Sequence, residues 1–263
     1  MNIGVIGAGV MGEALISALI TSGVRPADIT ISEKRQERVD ELHNRYGISS
    51  AAIEECALRS DVLLLVVKPQ DMATALSEIK VSLRPETLVI SFAAGKRIDF
   101  ISAALGTANP VIRVMPNTPT LVGEGMAAIS IGDGVTPAQA TFVREFLGAT
   151  GKTVEVGEEL QDAVTAVSGS GPAYFFLFVE SMIKAGMELG LTEEIATTLT
   201  VQTMIGSAKL LATSQKSPTT LRENVTSPNG TTAAAIASFN SADIAKTVRE
   251  AMTAARNRSQ ELA

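Results

Sequence analysis

Asn2-Ile3-Gly4-Val5-Ile6-Gly7-Ala8-Gly9-Val10-Met11-Gly12 is a short apolar run that breaks into a glycine loop, and the helix-like stretch Glu13 to Thr21 follows it. Strand, GxGxxG and helix in that order form the context a dinucleotide-binding turn requires. Gly7 permits the tight turn out of the strand, Gly9 leaves the backbone bare for a pyrophosphate, and Gly12 lets helix and strand approach closely. Ala8, Val10 and Met11 complete a loop whose N–H groups sit at a helix N-terminus, where the partial positive charge favours phosphate oxygens. Glycines recur in many turns, so the pattern alone is weak; its surroundings give it weight.

The rest of the first half repeats the same alternation. Short β-branched runs at Ile29 to Ser32, Val62 to Val67, Leu88 to Phe92 and Val111 to Met115, with Ala127 to Ile131 and Thr153 to Val156 later, read as strands. Gln36 to Tyr46, Asp71 to Lys80 and Pro137 to Leu147 read as helices, the last started by Thr136 as cap and Pro137 in the first turn. Strands alternating with helices predict a doubly wound parallel sheet, covered on both faces. After Gly157 the β-branched runs stop, and the remainder reads as helix with breaks at Gly169 to Pro172, Ser217-Pro218 and Ser227 to Gly230. The expected organisation is therefore α/β: a Rossmann domain over residues 1–157, then an all-helical dimerisation domain over residues 158–263. Ala173 to Leu189 is apolar almost all round and must be buried in a bundle or against a second subunit, which predicts a homo-oligomer.

Bulk properties narrow the classes. The 263 residues are 46% hydrophobic and 4% aromatic, enough for a large core without staples. A net charge of −6 argues against general nucleic-acid or anionic-membrane binding. The single cysteine, Cys56, forms no internal disulfide and fits a reducing cytoplasm, where it reads as a small buried hydrophobe. No signal peptide is expected, because the first residues lack a basic flank and the glycine loop interrupts the apolar run. Ala173 to Leu191 carries Glu180, Lys184 and Glu188 and is a poor membrane span. His43, the only histidine, lies among polar residues; its position removes His-dependent hydride enzymes, Ser-His-Asp hydrolases and His-rich metal sites, and no metal is expected.

Several stretches carry candidate chemistry. Ser32-Glu33-Lys34-Arg35 follows the second strand, where an acid accepts a ribose 2′-OH and basic or hydroxyl groups suit a 2′-phosphate. Both kinds are present: the basic neighbours favour NADPH, and Glu33 keeps NADH open. Val67-Lys68-Pro69 and Ala93-Ala94-Gly95 close two parallel strands at the end where open α/β sheets bind ligands, or are ordinary strand exits. Asn117, held between Pro116 and Pro119, can offer donor and acceptor to a nicotinamide carboxamide, or be a structural turn residue. Val167 to Tyr174 reads as a flexible small-residue loop with Pro172 preset as a first helical residue. In Asn224-Val225-Thr226-Ser227-Pro228-Asn229-Gly230-Thr231-Thr232, the Thr231 and Thr232 N–H groups and the Ser227 hydroxyl make a carboxylate cradle at a helix start; Thr231 or Thr232 also reads simply as its N-cap.

Gly7 to Gly12, Val67-Lys68-Pro69, Ala93-Ala94-Gly95, Arg113 to Pro119, Ser168 to Tyr174 and Val225 to Thr232 occur in an order and spacing that resembles the pyrroline-5-carboxylate reductases over essentially the whole chain. The resemblance implies NAD(P)H-dependent reduction of 1-pyrroline-5-carboxylate to L-proline, the last step of proline biosynthesis, and helices that interleave with a second subunit. By position it makes Thr232 the catalytic hydroxyl on the ring nitrogen. It places Ser227, Gly230, Thr231 and Thr232 around the substrate carboxylate, with Glu158 and Asn224 in the proline-binding pocket. Two residues depart from the family pattern: Asn229 stands where glycine is common, and Glu33 where a small polar residue is common. An imine needs no strong acid, because a hydrogen-bonded or protonated C=N is far more electrophilic than a ketone. The alternatives are a 3-hydroxyacid dehydrogenase, whose catalytic lysine would fall at Phe175, and a non-catalytic dinucleotide-binding protein.

Overall fold

Every run of β-branched residues named above forms a strand in the computed structural model, which describes residues 1–262. Strands β1 (Ile3–Ile6), β2 (Ile29–Ser32), β3 (Ser49–Ser50), β4 (Val62–Leu65), β5 (Leu88–Ser91), β6 (Val111–Met115), β7 (Gly125–Ile131) and β8 (Gly151–Glu155) form one sheet. Their order is β3-β2-β1-β4-β5-β6-β7-β8, which reverses direction of build beside β1, as in a dinucleotide-binding fold. The pairings from β3 to β6 are parallel; β7 runs antiparallel to β6, and β8 is parallel to β7. The expected parallel sheet is thus extended by a reversed pair. That reversal needs only the short link Thr118–Val122 between β6 and β7, whereas a parallel step needs a crossover helix.

Helices α1 (Val10–Thr21), α2 (Gln36–Tyr46), α3 (Ile53–Arg59), α4 (Met72–Ile79), α5 (Ile98–Leu105) and α6 (Pro137–Gly148) cover the sheet. The strands alternate their contacts with them. Ile3, Val5, Ile29, Ile31, Leu64 and Ile112 pack with Leu15, Leu19, Leu42 and Phe146 of α1, α2 and α6. Ile6, Leu63, Leu65, Val89 and Val111 pack with Cys56, Leu76 and Ile101 of α3, α4 and α5. Two separate cores on opposite faces make the strands apolar throughout rather than alternating with polar residues. Cys56 is fully buried, and burial pushes its thiol up to about 11, so it packs as a hydrophobe. Thr136 caps α6 through a capping box with Gln139.

By contacts the chain forms two compact units, Met1–Ser170 with the residues from Ala254 on, and Gly171–Thr253. The first passes beyond the break at Gly157 because the following short helix α7 (Gln161–Val164) is fastened to the sheet. Gln161 is fully buried, and its Nε2 donates to the Ala128 carbonyl at 3.3 Å and to Ser130 Oγ at 2.8 Å. Residues Thr165–Gly169 then form a π-helical turn in which the Ser170 N–H donates to the Thr165 carbonyl at 2.8 Å. The flexible loop expected over Val167 to Tyr174 is therefore helical backbone, with Pro172 in the first turn of the next helix, where its missing N–H costs no bond.

The second unit is built from α8 (Gly171–Glu188), α9 (Glu193–Thr213), α10 (Pro218–Asn224), α11 (Thr231–Ser241) and the first part of α12 (Ile244–Glu261). Helices α8 and α9 pack closely where Gly186 meets Ala196. Most apolar side chains of α8 remain outside any core: Phe175, Phe176 and Leu177 are 59%, 67% and 64% exposed. Among the described residues no helix is long and apolar enough to cross a membrane.

Candidate active site

The glycine loop leaves β1 with Gly7 at φ +90°, a left-handed conformation that side chains rarely adopt, and a Cβ there would meet the Val66 carbonyl oxygen at 2.8 Å. A Cβ on Gly12 would lie 2.3 Å from the Gly7 oxygen, so this glycine sets the approach of α1 to β1. Around Gly9 nothing lies within 4 Å of where a Cβ would be. Gly9 is also the N-cap of α1, and no side chain caps that end. Open space beside bare backbone at an uncapped helix N-terminus is the arrangement a pyrophosphate fits.

The end of β2 faces this loop. Glu33 accepts the Ala8 N–H at 3.0 Å through one carboxylate oxygen, and the Arg35 N–H and Nε at 3.2 and 3.0 Å through the other. Burial raises its pKa, but the bonds from Arg35 and Ala8 outweigh that and hold the carboxyl below its usual range. Glu33 is therefore a fixed negative charge beside the loop, and Arg35 is paired with it rather than free for a phosphate. Lys34 is exposed, and the Ser32 carbonyl accepts the Gly7 N–H at 2.9 Å.

A residue with no sequence signal joins this group. Arg38 of α2 donates from Nε to the Ala8 carbonyl at 2.9 Å and from Nη2 to the Gly9 carbonyl at 3.4 Å. Its guanidinium also pairs with Glu13 of α1 and with Glu41, and Arg45 and Tyr46 complete the ring around Glu13. Burial raises the Glu13 pKa, yet the bonds from Arg38 and Tyr46 and the charges of Arg38 and Arg45 bring it below the usual carboxylate range.

Other residues selected from sequence are placed differently. Val67 is half-buried and Lys68 exposed, preceding a helical turn, Pro69–Asp71. Ala93 is buried and Ala94 half-buried at the end of β5. The missing side chain of Gly95 accommodates the C-terminal end of α12, since a Cβ there would meet the Ser259 carbonyl at 2.6 Å and Leu262 at 2.7 Å. Its smallness serves packing there. Asn117 is tied to the chain: Nδ2 donates to the Ser168 carbonyl at 3.2 Å, and Oδ1 accepts the Met126 N–H at 2.8 Å. Both ends of its amide join the chain to itself, as a structural turn residue would. Glu158, carried over as a pocket residue, instead accepts the Ile98 N–H at 2.7 Å and so caps α5, and pairs with Arg113 at 3.3 Å. Arg113 is almost fully buried and needs that partner; Asp162, 3.8 Å from it, accepts the Ser259 hydroxyl at 2.7 Å.

In the second unit the stretch after α10 forms a tight turn into α11. Asn224 ends α10, and the chain turns with the Gly230 N–H donating to the Ser227 carbonyl at 3.0 Å. Asn229 takes φ +60°, the conformation that makes glycine common there. A Cβ on Gly230 would lie 2.5 Å from Ser227 Oγ, so this glycine leaves the hydroxyl room at the start of α11. Thr192 and Ser217 cap α9 and α10 with their side chains, but α11 has Gly230 as N-cap and no side-chain cap, although two threonines stand there. Neither Thr231 nor Thr232 is the cap. Ser227 and Thr231 are exposed and Thr232 half-buried, which leaves an unfilled N-terminus flanked by hydroxyls.

A family model described as pyrroline-5-carboxylate reductase dimerisation matches residues 158–262, and one described as coenzyme F420-dependent NADP oxidoreductase matches residues 2–95. The pyrroline-5-carboxylate reductase of Pseudomonas aeruginosa is 42% identical over 264 aligned positions, covering 100% of this chain and 97% of that protein. Among solved structures, the pyrroline-5-carboxylate reductase of Coxiella burnetii has a TM-score of 0.89 at 35% identity, covering 100% of this chain and 98% of that one. The Plasmodium falciparum pyrroline carboxylate reductase, solved with NADP bound, has a TM-score of 0.91 at 30% identity over the same shares. Identity of this degree along the full length, together with the two helix N-termini just described, makes the chain a member of the pyrroline-5-carboxylate reductase family.

Proposed function

We infer that the chain reduces the imine of 1-pyrroline-5-carboxylate to L-proline, with NAD(P)H as hydride donor, the last step of proline biosynthesis. The observation that carries this reading is the uncapped N-terminus of α11 beside the Ser227 hydroxyl. The Thr231 and Thr232 N–H groups and Ser227 Oγ hold the substrate carboxylate, with Gly230 leaving room for it and Asn224 at the rim. Thr232 donates its hydroxyl proton in a hydrogen bond to the ring nitrogen. That bond draws electron density from the adjacent carbon: a C–H bond forms there, the C=N π pair moves to nitrogen, and solvent supplies nitrogen's proton. The nicotinamide supplies the hydride when bound; Gly7 to Gly12 hold its pyrophosphate at the α1 N-terminus, and Ser32 to Arg35 read the adenosine ribose. No imidazole is required, and rate comes mainly from positioning.

The helical unit serves self-association, which the exposed Phe175, Phe176 and Leu177 support. The buried, unpaired Cys56 supports a cytoplasmic setting, and the net charge of −6 argues against a nucleic-acid partner. Purified protein given NADPH or NADH and pyrroline-5-carboxylate is expected to form proline with loss of reduced-nicotinamide absorbance; no loss beyond a substrate-free control overturns the reading. Thr232→Ala is expected to lower kcat by about 10 to 10³-fold, the scale of one lost charge-assisted bond, and an unchanged rate removes Thr232 from the mechanism.

A further inference from the structure

We propose that Arg38 is a positioning residue for the cofactor's pyrophosphate, acting through the backbone of the glycine loop without touching the ligand. The proposal rests on the reading that Gly7 to Gly12 bind a dinucleotide, and adds what aims that loop.

The argument begins with peptide geometry. In a planar trans peptide the C=O of one residue and the N–H of the next point in opposite directions. Arg38 Nε holds the Ala8 carbonyl at 2.9 Å and Nη2 reaches the Gly9 carbonyl at 3.4 Å. Fixing the Ala8 oxygen on the α2 side turns the Gly9 N–H the other way, while the Gly9 oxygen also accepts the Glu13 N–H at 2.9 Å, the first hydrogen bond of α1, so Arg38 adds to a carbonyl the helix already holds. The Ala8 peptides are held from both sides, since the Ala8 N–H donates to Glu33 at 3.0 Å. Free glycine backbone would lose this alignment each time it turned, because glycine samples both signs of φ with ease.

The arginine is itself held in place. Its side chain is only 13% exposed and pairs with Glu13, which projects from the first turn of α1, and with Glu41 on its own helix. Glu13 is further fixed by Arg45 and by the Tyr46 hydroxyl at 3.1 Å. A planar guanidinium can donate to two carbonyls and two carboxylates at once, which an ammonium cannot do in one plane. Arg38 therefore ties three elements, the loop, α1 and α2, into one rigid phosphate seat.

The test compares wild type with Arg38→Met, Arg38→Lys and the double variant Glu13→Gln with Arg38→Met, which leaves no unpaired charge if the single change unfolds the protein. For the methionine variants the KM for NAD(P)H is expected to rise about tenfold, with the KM for pyrroline-5-carboxylate and kcat at saturation within about twofold of wild type. Binding of ADP-ribose, which carries the pyrophosphate, is expected to weaken in parallel, while binding of adenosine stays unchanged. Arg38→Lys keeps the charge but loses the fork and is expected to behave like Arg38→Met. An unchanged cofactor KM in the folded double variant overturns the proposal, as does full rescue by lysine or an equal loss of adenosine binding. Wild type that neither binds ADP-ribose nor turns over would instead defeat the proposed function, so the two failures are distinguishable.

Discussion

At the scale of single residues the cofactor question turns on Glu33. Its neighbours Lys34 and Arg35 look, as a string of residues, like a 2′-phosphate site. In space Arg35 is bound to Glu33 at 3.0 Å, and the carboxylate is fastened to the glycine loop, so the arginine already has an acid for a partner. Glu33→Ser is expected to raise the ratio of kcat/KM for NADPH over that for NADH by about tenfold or more, through lost repulsion and a released Arg35. Steady-state kinetics with both nucleotides check this, and an unchanged ratio shows that Glu33 does not discriminate. Asn117 and Glu158 teach the converse lesson: each has the right chemistry for a ligand, but the nearest partners are Met126, Ser168, Ile98 and Arg113.

At the scale of elements, the proposed site rests on two helix starts. The second depends on Asn229, whose φ of +60° is held by the turn between Ser227 and Gly230. Asn229→Ala should lower stability by about 1 kcal/mol, because alanine meets the left-handed penalty without asparagine's local hydrogen bonding, whereas Asn229→Gly should be neutral or stabilising. Urea unfolding midpoints decide this; equal midpoints would show that the turn is not under strain. The first helix start is braced by Glu13, whose carboxyl the Arg38 and Tyr46 hydrogen bonds and the nearby arginine charges hold below the usual carboxylate range. Such a group contributes stability above its unfolded pKa, and the contribution is lost as pH falls through the depressed folded value. Thermal melts from about pH 5 downward should therefore steepen in wild type and flatten in Glu13→Gln; identical profiles would show that the cluster adds nothing.

At the scale of the molecule, the helical unit presents apolar surface that a lone chain would leave in water. Phe176 is 67% exposed on α8 and Leu199 is 55% exposed on α9, far more than a monomer normally shows in one region. Phe176→Glu is expected to shift the protein toward monomer by sedimentation equilibrium and to depress activity with it. An unchanged mass would exclude α8 from the contact. The end of the chain is fastened within the first unit: the Ser259 hydroxyl reaches Asp162, and Gly95 makes room for the end of α12. The first compact unit therefore includes the last turns of a helix whose first turns belong to the second.

What the sequence by itself determined was the periodic part. Alternating strands and helices, the glycine loop, the change at Gly157 and the stretch from Asn224 to Thr232 are local patterns, and local patterns follow from backbone sterics and hydrophobic period. The two-residue β3, the short α3 and the short α5 escaped because they are too brief to show a period; α5 also takes its cap from Glu158, sixty residues away. Tertiary structure alone decided which side chains were already engaged. Nothing in the order of residues links Glu13 to Arg38, or Asn117 to Ser168, since such pairs are neighbours only after the sheet has brought their elements together. The same holds for the loop that opened the chain: its glycines announce a dinucleotide, but its Ala8 carbonyl is held by an arginine on another helix and its Ala8 N–H by an acid on the next strand's exit.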